Sequence, residues 1–170
     1  MREVQQIAVM GAGEEACGLA RAAALAGCAV RLHDDDPAAL DAALARIRDG
    51  IDVDLRAGLL TAGDKQRTLD GILATSDLDE AVTHADLVAE VGAPSHAARR
   101  ALLMRLGERC RASALVGTGG APDELIDWIP NPGRLLRLRF APERLEIVPG
   151  VETSPRALAA AQRFARSLAR

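Results

Sequence analysis

The stretch Ile7-Ala8-Val9-Met10-Gly11-Ala12-Gly13-Glu14-Glu15-Ala16 decides how this chain folds. Its leading apolar residues end at a glycine, which predicts a short buried strand that runs into a tight turn. A helical pattern of apolar positions follows over residues 14–26, and Gly27 can end that helix in the left-handed conformation. The stretch therefore predicts a strand, a turn and a helix in that order.

The small residues of this turn predict a phosphate-binding loop. Gly11 permits the tight turn, Gly13 lets the backbone approach a pyrophosphate, and Ala16 lets the helix pack on the strand. The N–H groups at the start of such a helix point at the ligand, and the helix dipole favours its negative charge. We therefore expect Gly11, Ala12 and Gly13 to contact a dinucleotide.

Acidic residues on either side of the loop bear on which dinucleotide fits. Residues 28–33 predict a second strand, and Asp34 follows it about twenty residues after the turn, where a carboxylate binds the adenosine ribose and repels a 2′-phosphate. This position favours NAD over NADP. Glu14 and Glu15 are candidate cofactor contacts because they stand where the pyrophosphate is expected. They either weaken its binding by like charge or point to solvent and complement the helix dipole, and both interpretations remain open.

Strands and helices alternate along the rest of the chain. Asp36 and Pro37 begin a long amphipathic helix, and residues 58–64 form a turn and a connecting segment after it. Further strands are predicted at 72–74, 86–91, 114–117, 135–140 and 145–148, and further helices at 94–109, 122–129, from 77 and from 155. This order predicts an α/β, Rossmann-type, doubly wound and mostly parallel sheet with helices on both faces. We expect residues 1–170 to form a single dinucleotide-binding-type domain.

The composition argues against several functional classes. The net charge is −3, and Lys and Arg are scattered among acids, so the chain has no feature that attracts nucleic acid or a membrane. Aromatic residues make up only 2%, which leaves nucleic acid bases no stacking platform. The first residues lack the pattern of a signal peptide, and the three cysteines lack metal-ligand spacing. These features predict a cytoplasmic protein with buried thiols and no metal site.

Five segments match one known family in its order and spacing. They are residues 7–20, 32–37, 59–61, 75–78 and 85–90. On these segments the chain resembles the NAD-binding domain of 3-hydroxyacyl-CoA dehydrogenases. The resemblance implies hydride transfer between NAD and the C3 carbon of a 3-hydroxyacyl thioester, and hence an acyl-CoA partner and a role in fatty acid metabolism. It also implies a second, all-helical domain, absent from these 170 residues, that forms the interface of a homo-oligomer.

The catalytic positions of that family are altered in this chain. The resemblance implies a histidine base paired with a glutamate, and a serine that helps to hold the substrate oxygen. Arg139 stands at the base position within residues 138–142, and Glu146 matches the glutamate. Thr118 is the candidate to replace the serine, within residues 117–120. Arginine stays protonated at working pH and cannot take the hydroxyl proton, and loss of a general base typically costs about a hundredfold to ten-thousandfold in rate.

Glu90 and Arg99 complete the expected cofactor site. The resemblance implies that Glu90 helps to place the cofactor and that Arg99 stands where a family lysine contacts it. Residues 91–95 lack the acid that reaches the cofactor ribose in the family. A solvent-facing position on a helix is the alternative for Arg99. The histidines match no catalytic position and are expected in packing or surface roles: His33, His84 and His96.

Three functions remain open at this point. The first is an NAD-dependent oxidoreductase of the 3-hydroxyacyl-CoA dehydrogenase type. The second is a non-catalytic descendant that keeps the fold for binding or assembly. The third is an enzyme with altered chemistry, in which Arg139 binds a carboxylate or phosphate of a different substrate. If Arg139 has no catalytic role, the preferred interpretation is a buried ion pair with Glu146 that joins two neighbouring strands.

Overall fold

A seven-stranded sheet forms the centre of the computed structural model, which describes residues 3–141 and 144–169. The strands lie in the order β3-β2-β1-β4-β5-β6-β7. Strands β1 to β6 are parallel, and β7 pairs with β6 in the antiparallel direction. Their bounds are Gln6–Met10, Ala29–His33, Ile72–Thr75, Leu87–Glu90, Leu115–Thr118, Leu135–Ala141 and Arg144–Pro149 for β1 to β7. This arrangement confirms the predicted Rossmann-type sheet.

Helices cover both faces of the sheet. Their bounds are Glu14–Leu25, Pro37–Arg56, Ala62–Asp70, Leu78–Val82, His96–Arg109 and Pro155–Leu168 for α1 to α6. One core cluster lies beneath α1, α2 and α6, and a second lies beneath α4 and α5. Both clusters consist mainly of Ala, Val, Leu and Ile, in agreement with the scarcity of aromatic residues. Within the described ranges, no helix is long and apolar enough to cross a membrane.

The strand order places the expected site at one edge of the sheet. From β1 the chain proceeds outward to β2 and β3, then returns to the other side of β1 with β4. In open α/β sheets, ligands bind outside the carboxyl ends of the strands where the order reverses in this way. The turns that follow β1, β2 and β4 therefore surround the expected cofactor crevice.

Two parts of the predicted secondary structure were wrong. The connecting segment predicted around residues 58–64 ends in a helix, α3, whose start is fixed by a capping box between Thr61 and Asp64. The helix predicted at 122–129 consists instead of two short 3-10 turns, Pro122–Glu124 and Ile126–Trp128. Leu125 between them has φ −120°, which breaks the helical path. The segment is therefore too interrupted to form regular α-helical hydrogen bonds.

His33 is a buried residue at the end of β2. Its side chain is only 4% exposed, and its Nε2 has no hydrogen-bond partner among the described residues. Burial lowers the pKa of His33 below its ordinary value of 6.5, and nearby Arg105 acts in the same direction. The carboxylates of Asp35 and Asp34 oppose this shift, and Asp35 Oδ1 lies 3.8 Å from Nε2. The predicted packing role fits this buried position.

We expect protonation of His33 to destabilise the fold. The unfolded chain binds this proton more readily than the folded chain, so stability is present above about pH 6.5 and falls as the pH decreases toward the lowered pKa. The slope between the two pKa values should reach about 1.4 kcal/mol per pH unit. Urea unfolding of wild type and His33→Gln between about pH 7.5 and 5.5 measures the difference. His84→Gln, at an exposed position, is the control, and equal slopes in wild type and His33→Gln would refute the prediction.

Candidate functional site

The turn after β1 makes close backbone contacts with the ends of both neighbouring strands. Gly11 has φ +109°, a conformation that glycine adopts readily, and its N–H donates to the carbonyl of His33 at 2.7 Å. A Cβ added to Gly11 would lie 3.3 Å from the Cα of Gly92, which follows β4. Gly11 therefore brings together the turns that surround the crevice.

The start of α1 leaves backbone N–H groups for a ligand. Gly13 is the N-cap residue and supplies no side-chain cap, and the Cys17 N–H donates to the Gly13 carbonyl at 3.0 Å. The N–H groups of residues 14–16 precede this bond and have no acceptor within the helix. Ala16 is 1% exposed, so the small side chain lets α1 pack on the sheet as predicted. This arrangement is suited to an anion such as a pyrophosphate.

Glu15 is turned away from the loop and toward β6. Its Oε1 accepts a hydrogen bond from the Phe140 N–H at 2.9 Å. The same strand end lies against α1 at Gly18, where an added Cβ would come within 2.7 Å of the Phe140 ring. Glu14 is exposed, as the solvent-facing interpretation expected. The charge of Glu15 is thus engaged in a contact that neither interpretation from the sequence included.

Arg46 of α2 brings a positive charge to the loop. Its Nη1 donates to the carbonyl of Ala12 at 3.2 Å and lies 3.5 Å from Cys17 Sγ. Arg46 is exposed, so its other nitrogens remain accessible to a ligand. Nothing in the sequence singles out Arg46, because it lies on the polar side of an amphipathic helix, where arginine is common and belongs to no motif.

Asp34 occupies the predicted position after β2. Its Oδ1 accepts a hydrogen bond from the Asp36 N–H at 3.0 Å, which holds the turn into α2. Asp36 in turn caps α2 by accepting from the Ala38 N–H at 2.9 Å. The half-buried Asp34 uses one carboxylate oxygen in this turn, and its second oxygen is suited to a ribose hydroxyl.

Glu90, the last residue of β4, is completely buried at the end of its strand. Its Oε2 accepts hydrogen bonds from Arg99 Nε and Thr118 Oγ1, both at 2.7 Å. Its Oε1 accepts from the Ala93 N–H at 2.9 Å. Both oxygens are therefore engaged by protein groups, as a buried carboxylate requires. Any influence of Glu90 on a cofactor acts through the residues that it positions.

Arg99 lies over the turn that follows β5. Its side chain is 19% exposed, so it is not the solvent-facing residue that the alternative interpretation described. A Cβ on Gly120 would lie 2.9 Å from Arg99 Cδ, and one on Gly119 would lie 3.7 Å from Nη2. Gly120 therefore leaves room for the arginine, whereas a side chain at Gly119 would make only ordinary contact with it.

Thr118 faces inward rather than toward the open edge. Its hydroxyl is buried, donates to Glu90 and accepts from the Gly120 N–H at 3.1 Å. These contacts support a role in holding the turn after β5. The role of Thr118 at a substrate oxygen stays a prediction, and the hydroxyl would have to leave both partners to perform it.

Arg139 and Glu146 lie directly opposite each other on β6 and β7. Arg139 is exposed and Glu146 is half-buried, and no ion pair joins them among the described residues. The expected buried ion pair was therefore wrong, because this end of the sheet is open to solvent. In solvent an ion pair gains little over the hydrated charges. Pro142, part of the predicted catalytic segment, lies outside the described residues.

The cysteines are free thiols, and two of them lie outside the crevice. Cys17 and Cys28 are buried, and Cys110 is partly buried. Burial raises the pKa of Cys28 and of Cys110 to about 11, so both thiols stay protonated at neutral pH. Across the part of the chain that the structure describes, no group of three His, Cys, Asp or Glu side chains is arranged to hold a metal ion.

Comparison with known proteins yields consistent matches. The family described as "3-hydroxyacyl-CoA dehydrogenase, NAD binding domain" matches residues 6–170. A probable 3-hydroxybutyryl-CoA dehydrogenase of Bacillus subtilis is 31% identical over 89% of this chain and 55% of its own length. The 3-hydroxyadipyl-CoA dehydrogenase of Escherichia coli is 32% identical over 91% of this chain and 34% of its own length.

A solved structure extends the similarity to three dimensions. The 3-hydroxybutyryl-CoA dehydrogenase of Escherichia coli superposes with a TM-score of 0.93 at 29% identity, covering 99% of this chain and 37% of that one. The chain thus spans between about a third and three fifths of the length of the curated relatives that it matches.

We expect the Glu90 ion pair to be essential for stability. Arg99→Ala leaves a buried carboxylate without its cation, which should lower the free energy of unfolding by about 3–5 kcal/mol. Arg100→Ala is the matched control, because the neighbouring arginine is exposed and its guanidinium lies over the Trp128 ring, 5.2 Å from the ring centroid. Its loss should cost about 1 kcal/mol or less. Urea unfolding followed by circular dichroism measures the free energy of unfolding of both variants. Equal losses of stability in the two variants would contradict the expectation.

Proposed function

This chain belongs to the 3-hydroxyacyl-CoA dehydrogenase family, as its NAD-binding domain, and we propose that it binds NAD at the carboxyl ends of β1, β2 and β4. The observation that carries the proposal is the uncapped start of α1 beside the Gly11 turn, with Asp34 at the end of the adjacent strand. The three features provide an anion site, close backbone approach and a ribose acceptor. The residues present therefore fit NAD.

Each group near the crevice has a part in this binding. The N–H groups of residues 14–16 hold the pyrophosphate, and Arg46 adds a positive charge beside the Ala12 carbonyl of the loop. Asp34 accepts from a ribose hydroxyl. When bound, NAD accepts a hydride from the carbon that is oxidised. Glu90 keeps Arg99 and the turn after β5 in place beside that reaction.

We further propose an acyl-CoA thioester as the substrate. The relatives named for 3-hydroxybutyryl-CoA and 3-hydroxyadipyl-CoA support this class, and they support a place in fatty acid metabolism. The free cysteines favour a reducing compartment such as the cytoplasm. Residues 1–170 are proposed to act as one dinucleotide-binding-type domain, because the described strands form one sheet. A homo-oligomer is proposed from the family resemblance alone.

The site supplies no base on β6. A guanidinium does not accept a hydroxyl proton, so Arg139 cannot replace the base that the resemblance implies. This observation favours a second candidate function, an NAD-binding domain that keeps the fold without turnover. The engaged hydroxyl of Thr118 supports the same alternative, because it leaves the substrate oxygen without that donor.

Binding of NAD tests the proposal first. We expect calorimetric titration to detect NAD binding, and a rise in melting temperature to accompany it. Asp34→Asn keeps an acceptor for the Asp36 N–H but removes the charge, so NAD affinity should fall about tenfold or more. The preference of the Asp34→Asn variant for NAD over NADP should be smaller than that of wild type, because the carboxylate that repels the 2′-phosphate is gone. Asp41→Asn, at an exposed position on α2, should bind as wild type does. No heat and no shift at millimolar NAD would refute the proposal.

The two candidate functions differ in their response to a restored base. If the site is catalytic, Arg139→His should raise NADH formation from 3-hydroxybutyryl-CoA by about a hundredfold to ten-thousandfold, because an imidazole opposite Glu146 can take the proton. Arg144→His is the matched control, since its cross-strand neighbour is Ala141. The non-catalytic function predicts no NADH formation in wild type or in either variant. Turnover by wild type would exclude it.

A further inference from the structure

The hairpin of β6 and β7 presents a basic face to solvent. Its cross-strand pairs are Arg137 with Val148, Arg139 with Glu146, and Ala141 with Arg144. Paired residues project from the same face, and the intervening Leu138 packs into the core on the other side. The face therefore carries three arginines and one glutamate, a formal charge of 3 − 1 = +2, in a chain of net charge −3.

These arginines have no ionic partner among the described residues. Arg137, Arg139 and Arg144 are exposed, and none forms an ion pair with any residue in the ranges 3–141 and 144–169. Arginines on and after α5, by contrast, pair with Glu90, Asp79 and Asp86. Like charges on neighbouring strand positions repel. A bound anion would relieve that repulsion.

The basic face continues from the proposed cofactor site. Glu90 is paired with Thr118, and Thr118 with Arg137, in one row across β4, β5 and β6. Adjacent strands lie about 4.8 Å apart, so Arg137 is one strand spacing from Thr118. Arg139 lies two residues further toward the carboxyl end of β6, on the same face. A small molecule against the turn after β5 can therefore reach both arginines.

We propose that Arg139, with Arg137, binds a carboxylate of the substrate. A guanidinium offers a planar pair of donors that matches the two oxygens of a carboxylate. The acyl part of a thioester substrate presents a carboxylate rather than a phosphate as its anionic group, and the relative named for 3-hydroxyadipyl-CoA acts on a thioester of that kind. The substrate class is accordingly an acyl thioester whose acyl chain ends in a carboxylate. The position of the bound carboxylate beside the cofactor rests on the proposed function, whereas the binding of an anion by the two arginines does not.

Two thioesters that differ in the terminal carboxylate test this assignment. Calorimetric titration compares succinyl-CoA with butyryl-CoA, and free CoA reports the contribution of the phosphates. We expect succinyl-CoA to bind about tenfold or more tightly than butyryl-CoA. Arg139→Gln combined with Arg137→Gln should abolish the preference, and Arg139→Lys should keep part of it. Arg163→Gln, an exposed arginine on α6, should keep all of it. Added salt should reduce the preference.

Several results would overturn the assignment. Equal affinities for the two thioesters exclude a carboxylate site, as does a preference that persists in the double variant. If free CoA binds as tightly as succinyl-CoA and loses affinity in the double variant, the face binds phosphate instead. Urea unfolding of the double variant checks that it remains folded, as its exposed positions lead us to expect. NADH titration of the same samples is independent, so a failure of cofactor binding is distinguishable from a failure of the carboxylate site.

Discussion

The buried carboxylate of Glu90 is the constraint on which the arrangement of the carboxyl edge depends. It has no exposed surface, and it is held by a guanidinium, a hydroxyl and a backbone N–H. These donors come from α5, from β5 and from the loop after β4. Removing a charge from water is costly unless partners replace the lost hydration. Strand β4, which carries Glu90, and the three segments that supply its donors are therefore held in one relative position. Gly120, after Thr118, leaves room for Arg99 within that arrangement.

The charges around the glycine loop are balanced by contacts that bridge separate elements. Glu15 bonds to β6, and Arg46 reaches the loop from α2. The acidic start of α1 therefore adds less negative charge to the crevice than its two glutamates suggest. The loop keeps free N–H groups and gains a cation, which is the combination that an anionic cofactor requires. In this respect the domain is equipped for binding, whatever its capacity for turnover.

Arg139 lies at the open end of the sheet, and its chemistry differs from that of the histidine that the resemblance implies there. At the position that the resemblance assigns to the family's histidine, Arg139 provides a positive charge in place of a group that exchanges protons. Its neighbours on the same face include two further arginines. A site with this composition is better suited to holding an anion than to accepting a proton, and it lies one strand from the turn beside the proposed cofactor.

The sequence by itself determined the local elements and the family. The strand, turn and helix around Gly11, and Asp34 after the second strand, were predicted correctly because each depends on neighbouring residues and on a regular period. The tertiary structure alone decided which side chains meet. Glu15 and Phe140 are 125 positions apart, and Glu90 and Thr118 are 28 apart. Such contacts follow from strand order and helix packing, which leave no periodic trace in the sequence. For the same reason only the structure revealed that Arg139 is exposed and Glu146 half-buried, since exposure depends on what covers the sheet.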